Sequence, residues 1–379
     1  MSLKSLLLGS AAVMMVAGAA QAADLTVAEP VDYVKVCDAF GKGYWYAPGT
    51  DTCIKIGGWV RAQVGFEKNL DKLVDNTSPA EDEFNDYQFR TRTSLTVTAS
   101  SMTEYGPLTS FIDYRMESYG SQDGVSKLDS AWLQLGPVQA GKYTSSFDFG
   151  GGYTDDGGYR SDETTDHIAF TYALNGFGIV LSVEDPQDRT EEFGTGGSLS
   201  GDEEEFPDLV AALTYSAGIV SAKLSGAYVD ASNSNDDSWA VQGGVELALD
   251  SFSKGDKFKL LAGYAQNAPS FVGATNISGT TATGANSKVG GNEDGEAWNI
   301  LASYKHVWNG QWNSSITGSY VSFNGDTTAD IDAWKVAFDT AFTPVANFTI
   351  LGEVGYYEND GRGDVDSFFG FARLQRSFP

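Results

Sequence analysis

The 379-residue chain has few of the residues on which most catalytic and metal sites depend. It contains two cysteines and two histidines, His167 and His306, so a metal site built from several His or Cys ligands is not expected. It has no G-x-S-x-G elbow, phosphate-binding loop or similar catalytic motif. These gaps argue against an enzyme, and we expect neither a metal nor a cofactor.

Basic residues are also scarce. Lys and Arg number 24 against 51 Asp and Glu, which gives a formal net charge of -27. Proteins bind nucleic acids mainly through Lys and Arg contacts to phosphate, so such a chain repels polyanions. We therefore expect no nucleic-acid partner.

Long apolar runs are missing beyond the N-terminus. A membrane-spanning helix needs about 20 consecutive, mostly apolar residues, and no such run follows residue 22. The N-terminus has Lys4, an apolar stretch and then Ala20-Gln21-Ala22, the pattern of a cleaved signal peptide. We predict a signal peptide over 1–22 and a mature protein over 23–379, with an uncleaved membrane anchor as the alternative.

What the chain does contain is a repeated alternation of apolar and polar residues. Between residues 53 and 67 the even positions are apolar or small, while the odd ones include Lys55, Arg61 and Gln63. Successive side chains of a strand point to opposite faces, so such a strand can separate lipid from water. The pattern predicts sixteen strands: 53–67, 88–100, 107–117, 127–136, 138–143, 167–174, 177–185, 208–216, 219–229, 238–249, 257–266, 296–307, 311–322, 332–342, 347–357 and 367–378.

The predicted strands are joined alternately by short and long connections. Short turns are indicated by Gly136-Pro137, Asn175-Gly176 and Thr343-Pro344. In outer-membrane barrels short turns face the periplasm and long loops face the outside. We predict an all-β fold, a 16-stranded antiparallel transmembrane β-barrel in the outer membrane of a Gram-negative bacterium. A soluble β-sandwich protein of two domains is the alternative.

The two cysteines, Cys37 and Cys53, lie in the exported part of the chain. An even number of cysteines in an oxidising compartment favours a disulfide. Two free thiols are the alternative.

Two parts of the sequence resemble the alphaproteobacterial general porin family. They are VDYVKVCDAFG (31–41) with PGTDTCIKIGG (48–58), similar to the family's N-terminal signature, and GKYTSSFDF (141–149), similar to the strand that leads into the constriction loop. The resemblance implies a homotrimer whose third loop, 144–166, folds into the lumen. The chain departs from the family at its end, where Phe378 is followed by Pro379 instead of closing on the aromatic residue.

The alternation places several arginines on the lumenal side of neighbouring strands. Arg90 and Arg92 lie on the same face of the second predicted strand. By the same alternation, Arg61 of the first strand and Arg115 of the third also face the lumen. An arginine facing hydrocarbon at mid-depth costs about 2–4 kcal/mol, which supports the inward assignment. We predict a basic wall formed by Arg61, Arg90, Arg92 and Arg115. The alternative is that these arginines only pair with inward acids such as Glu67, Asp113 and Glu117.

The loop 144–166 supplies charges of the opposite sign. If it folds inward as in the family, its carboxylates face the basic wall across the narrowest part of the pore and create a transverse field. The predicted constriction acids are Asp148, Asp155, Asp156, Asp162 and Glu163. The alternative is that they are solvated surface charges.

These features predict a water-filled channel for passive diffusion of small hydrophilic solutes and ions. A substrate-selective channel, for example for sugars, would need a run of inward aromatics, for which Trp59, Phe111 and Trp132 are scattered candidates. A closed barrel acting as an adhesin is a third hypothesis. Barrels of sixteen strands leave an aqueous channel, which argues against it.

Overall fold

The computed structural model describes residues 35–69, 87–119, 122–190, 206–229, 238–277, 289, 293–326, 330–360 and 365–378. The predicted signal peptide, the first residues of the N-terminal signature and Pro379 lie outside these ranges. Among the described residues no helix is long and apolar enough to cross a membrane.

Seventeen β-strands make up most of the described chain. They are β1 (Trp45–Tyr46), β2 (Cys53–Asn69), β3 (Tyr87–Thr103), β4 (Gly106–Tyr119), β5 (Gln122–Leu135), β6 (Val138–Thr144), β7 (Thr164–Leu174), β8 (Phe177–Glu184), β9 (Asp208–Ala217), β10 (Val220–Val229), β11 (Ser238–Ala248), β12 (Lys257–Gln266), β13 (Gly295–Val307), β14 (Trp312–Gly325), β15 (Ile331–Val345), β16 (Phe348–Asp360) and β17 (Val365–Phe378).

Strands β2 to β17 form one closed antiparallel barrel. Each pairs with the next along the chain, and β17 pairs with β2, with Phe378 opposite Gly58 at one end of the seam. Each of the sixteen barrel strands overlaps one of the sixteen predicted from alternation, with ends that differ by up to five residues, so the predicted fold is confirmed. The short strand β1 adds a two-residue pairing at the start of β2.

The alternation sorts side chains as expected from the sequence. Ile112 and Met116 of β4 are exposed on the outer face, whereas Asp113 between them is buried on the inner side against Ser94 of β3. The same apolar outer face continues around the barrel, because lipid replaces water there and favours apolar groups.

Short turns close one end of the barrel. The turn Asn175-Gly176 has positive φ at both residues, the backbone form that suits a two-residue hairpin. The prediction of a turn at Thr343-Pro344 was wrong, because both residues lie in β15 and the turn follows at Ala346-Asn347. The register between β15 and β16 shifts after Phe342, and a proline without an N–H fits such an irregularity.

The disulfide is confirmed. Cys37 and Cys53 are bonded, with their Cα atoms 6.0 Å apart, and both are buried. The segment that the disulfide closes contains a single 3₁₀ turn, Asp38–Phe40, and strand β1. This segment lies at the start of β2, and therefore at the end of the barrel that carries the short turns.

Candidate pore constriction

The segment between β6 and β7, residues 145–163, lies against the inner wall of the barrel. Its backbone N–H groups bond to inward side chains of distant strands: Tyr153 N donates to Ser303 Oγ of β13 at 2.9 Å, and Tyr159 N donates to Ser319 Oγ of β14 at 2.9 Å. Serine oxygens on the wall therefore satisfy backbone donors that a loop in a lumen would otherwise leave to water.

The start of this loop is held by a buried carboxylate. Glu184 of β8 accepts from Ser145 Oγ at 2.6 Å and from Ser146 N at 2.8 Å. The guanidinium of Arg189 donates to Ser145 Oγ at 2.8 Å and to Ser161 Oγ at 3.1 Å, so it joins the two ends of the loop. All five of these residues are buried, which makes the bonds costly to leave unmade.

The middle of the loop is held by a second carboxylate and two cations. Glu353 of β16 accepts from Asp155 N at 2.6 Å and from Asp156 N at 3.1 Å. Arg373 of β17 donates two bonds of 2.5 Å to the Asp155 carboxylate, and Lys335 of β15 donates to Asp156 at 3.1 Å. The loop thus spans the wall from β8 to β17.

Apolar packing fixes the same loop from behind. Phe147 is fully buried, and its ring packs edge-on against Phe271 with centroids 5.0 Å apart. Phe271 belongs to the 3₁₀ turn Pro269–Val272, which follows β12 and also lies inside the barrel. Two connections from the long-loop end therefore enter the lumen and pack together.

The five predicted loop acids take different environments. Asp155 and Asp156 lie on the wall in ion pairs, and Asp162 is exposed beside Arg160 at 2.5 Å. Asp148 is buried and accepts from Glu163 N at 2.8 Å, so its carboxylate holds the base of the loop. Glu163 itself is half-buried.

Burial changes the ionisation of the two acids at the base of the loop. It raises the pKa of Glu163 to about 7, with Arg189 opposing the shift and Asp148 adding to it. Burial also raises the pKa of Asp148, again opposed by Arg189. A carboxyl removed from water favours its neutral form, which is the physical cause in both cases.

The four predicted arginines lie together on the inner faces of β2, β3 and β4. Arg61 is opposite Arg92 in the register of β2 and β3. Arg90 and Arg92 both bond to Glu117, at 2.5 and 2.7 Å, so the pairing with Glu117 that the sequence left open is present.

The other two arginines differ in their partners. Arg115 pairs with Asp113 at 2.9 Å and with Asp129 at 2.6 Å. Arg61 donates to Gln375 Oε1 at 2.6 Å and lies 4.0 Å from the centroid of the Trp59 ring. Within the described part of the chain no carboxylate forms an ion pair with Arg61, so its charge is the least compensated of the four.

Sequence reasoning missed the cations that hold the loop. Arg373 and Lys335 contact its acids, and Lys259 and Lys223 donate to its backbone carbonyls, to Gly151 O at 2.9 Å and to Asp148 O at 2.7 Å. All four occupy inward positions of predicted strands, so the alternation that identified Arg61 would have identified them too.

The basic wall and the loop acids are close enough to interact. Arg61 is coupled electrostatically to Asp155 as well as to Arg373, Arg115 and Arg90. The cations of β2 to β4 and β17 therefore share one stretch of lumen with the middle of the loop.

Comparison with known proteins identifies the family. A family model described as "Porin subfamily" matches residues 24–369. The "Porin Omp2b" of Brucella neotomae is 30% identical over 412 aligned residues, which cover 100% of both chains. The chain belongs to the porin family. The family resemblance noted in the N-terminal signature is thereby confirmed.

Solved structures agree with the porin on its fold. The outer membrane channel DcaP of Acinetobacter baumannii superposes with a TM-score of 0.68 at 15% identity, covering 88% of the porin and 99% of that chain. OmpT of Vibrio cholerae in its trimer form superposes with a TM-score of 0.51 at 10% identity, covering 86% of the porin and 99% of that chain. The porin is a multi-pass outer-membrane channel of a Gram-negative bacterium, as predicted.

Proposed function

We propose that small hydrophilic solutes and ions cross this porin by passive diffusion through a lumen narrowed by residues 145–163, and that it catalyses no reaction. The observation that carries the proposal is the Asp155–Arg373 pair, which holds an acidic loop on the inner wall close to Arg61. A solute that passes there meets the guanidinium group of Arg61 beside the paired charges of Asp155 and Arg373.

The field of this arrangement acts only over a short distance. At physiological ionic strength charges are screened over about 8 Å, so the wide mouths of the barrel select little and the constriction selects most. A transverse field favours dipolar or small charged solutes over apolar ones, because it replaces part of the hydration that they lose.

The substrate-selective alternative has less support. Of its three candidate aromatics, Phe111 and Trp132 stack on each other with centroids 5.4 Å apart, and Trp59 is covered by Arg61. A row of open aromatic faces on which sugars could stack is not formed by these three.

Two further proposals concern maturation and assembly. We propose that residues 1–22 are removed as a signal peptide, on the strength of the Ala20-Gln21-Ala22 pattern. We propose a homotrimer surrounded by outer-membrane lipid, supported by the family resemblance and by the trimer form of the similar OmpT.

Single-channel recording of the refolded mature protein in a planar bilayer tests the proposal. Ohmic openings in KCl that come in groups of three, with no block by neutral sugars, are expected. In a salt gradient Arg61→Gln should move the reversal potential towards cation preference by more than Arg115→Gln, because Arg115 is neutralised by two acids. Saturable block by a neutral sugar would favour the selective channel, and absence of conductance would overturn the proposal.

A further inference from the structure

A polar cavity lies between the loop and the end of the barrel that carries the short turns. Its volume is about 490 Å³, and it is bounded by loop residues 151–157 on one side and by the ends of β13 to β16 on the other. Its size is that of a site for a small molecule. It begins at Asp155 and extends to Asn313, Thr343 and Thr349 near the short turns.

Glycines let the loop backbone form one wall of this cavity. A Cβ at Gly151 would lie 2.6 Å from the guanidinium of Arg160, and one at Gly157 would lie equally close, with φ of +73° besides. Arg160 donates to Gly158 O at 3.0 Å and pairs with Asp162 at 2.5 Å. The contacts of Arg160 within the loop therefore preform this wall of the cavity. The charge of Arg160 is compensated by Asp162.

The two acids that line the cavity are already engaged. Asp155 is neutralised by Arg373 through two bonds. Asp339 of β15 is 5% exposed and accepts from Ser315 N at 3.0 Å, so it offers little surface to a solute.

Lys305 of β13 also lines the cavity and is half-buried. Its charge interacts with that of Asp339 on the same wall, but no ion pair or direct hydrogen bond joins it to a described residue. A half-buried ammonium without a direct hydrogen-bond partner attracts an anionic group, because such a group restores the interactions that burial removes.

Neutral hydrogen-bonding groups stand beside this ammonium. Thr343 and Thr349 line the same cavity with their hydroxyl oxygens 3.4 Å apart, and Asn313 adds a side-chain amide. Hydroxyl and amide groups both donate and accept, which suits hydroxyl groups on a ligand.

We propose that this cavity is a weak subsite for small hydroxylated carboxylates. Lys305 binds the carboxylate, and Thr343, Thr349 and Asn313 bind the hydroxyl groups. The inference rests on the proposed diffusion function and adds a class of solute that pauses below the constriction.

Gluconate and sorbitol serve as the probes, since they share a six-carbon hydroxylated skeleton and differ in the carboxylate. In KCl of fixed conductivity, gluconate should lower the single-channel conductance in a saturable manner, and sorbitol should not. Lys305→Gln should raise the half-saturating concentration about tenfold, the size expected for a lost hydrogen bond to a charged group. Lys305→Arg, which keeps the charge, should stay within about threefold of the wild type.

Lys254→Gln is the matched control. Lys254 is exposed in the connection between β11 and β12, at the same end of the barrel, and lies outside the cavity. Its loss should leave the gluconate effect unchanged. Equal effects of Lys254→Gln and Lys305→Gln, or openings in KCl that gluconate does not alter, would overturn the subsite while the diffusion function stands. Failure of the wild-type protein to conduct in KCl would overturn both.

Discussion

Arg373 and Asp155 form a bidentate ion pair that joins the last strand of the barrel to the middle of its inward loop, with both nitrogen–oxygen distances at 2.5 Å. The Arg373 side chain is 7% exposed. Asp155 also donates its backbone N–H to Glu353, so β17 holds its side chain and β16 holds its backbone.

Loss of this pair should loosen the loop. Arg373→Gln removes a charged hydrogen-bond donor, which costs about 1.5–3 kcal/mol, and leaves Asp155 close to Glu353. We expect larger fluctuations of the open-channel current and faster entry of large sugars in liposome swelling. Arg373→Lys keeps the charge but cannot form two parallel hydrogen bonds to the Asp155 carboxylate. Its current noise and sugar entry should therefore lie between those of the wild type and those of Arg373→Gln. Wild-type noise in Arg373→Gln would show that the loop is held by its other contacts.

Adjacent glycines of β11 should respond differently to substitution. A Cβ at Gly244 would collide with the ring of Phe149 in the loop, whereas one at Gly243 would meet only Leu224 Cδ1 at 4.0 Å. Gly244→Ala should therefore push the loop away from the wall and lower the single-channel conductance. Gly243→Ala is the control and should conduct as the wild type does. The same conductance in both variants would contradict the observed packing of Phe149.

The base of the loop should weaken as the pH rises. Burial raises the pKa of Glu163 from 4.5 to about 7, so the folded protein binds more protons than the unfolded chain between these values. Its contribution to stability is therefore present below the lower value and is lost as the pH rises through the folded pKa. Current noise should increase over this interval.

Glu163→Gln checks this assignment. This variant should reduce the pH dependence of the current noise. Asp148→Asn should reduce that pH dependence further, because burial also raises the pKa of Asp148. Asp162 is an exposed acid of the same loop whose charge adds to both shifts, so Asp162→Asn should move the profile slightly to lower pH without removing it. An identical profile in Glu163→Gln and the wild type would assign the pH dependence to other groups.

Removal of the disulfide should lower stability and leave conduction unchanged. Replacing Cys37 and Cys53 by Ser frees a loop of about 15 residues, worth about 3 kcal/mol in the chain-entropy model. The barrel seam does not need this bond, because β17 pairs directly with β2. Thermal unfolding followed by circular dichroism should shift to lower temperature at constant single-channel conductance. An altered conductance would mean that the disulfide segment reaches the pore.

The sequence predicted the strands and the inward arginines because both follow from a period of two. A strand between lipid and water must alternate, so Arg61, Arg90, Arg92 and Arg115 could be assigned to the lumen without a structure. The turn at Thr343-Pro344 was misplaced because the proline reads as a turn signal, although β15 accommodates it at an irregularity.

The contacts of the loop could not be predicted in the same way. Residues 145–163 have no period, and their partners Glu353 and Arg373 come from the other end of the chain. Which acid is buried, like Asp148, and which is exposed, like Asp162, depends on those partners. For the same reason the loop acids remain predictions as constriction residues.

The closed barrel depends on the pairing of β17 with β2. Until Val365–Phe378 is in place, β2 and β16 each present a row of unpaired backbone groups. In hydrocarbon each such group costs several kcal/mol, so a barrel short of its last strand is not a stable intermediate in the membrane. Strand β17 is therefore required for a closed barrel, because it pairs with both β16 and β2.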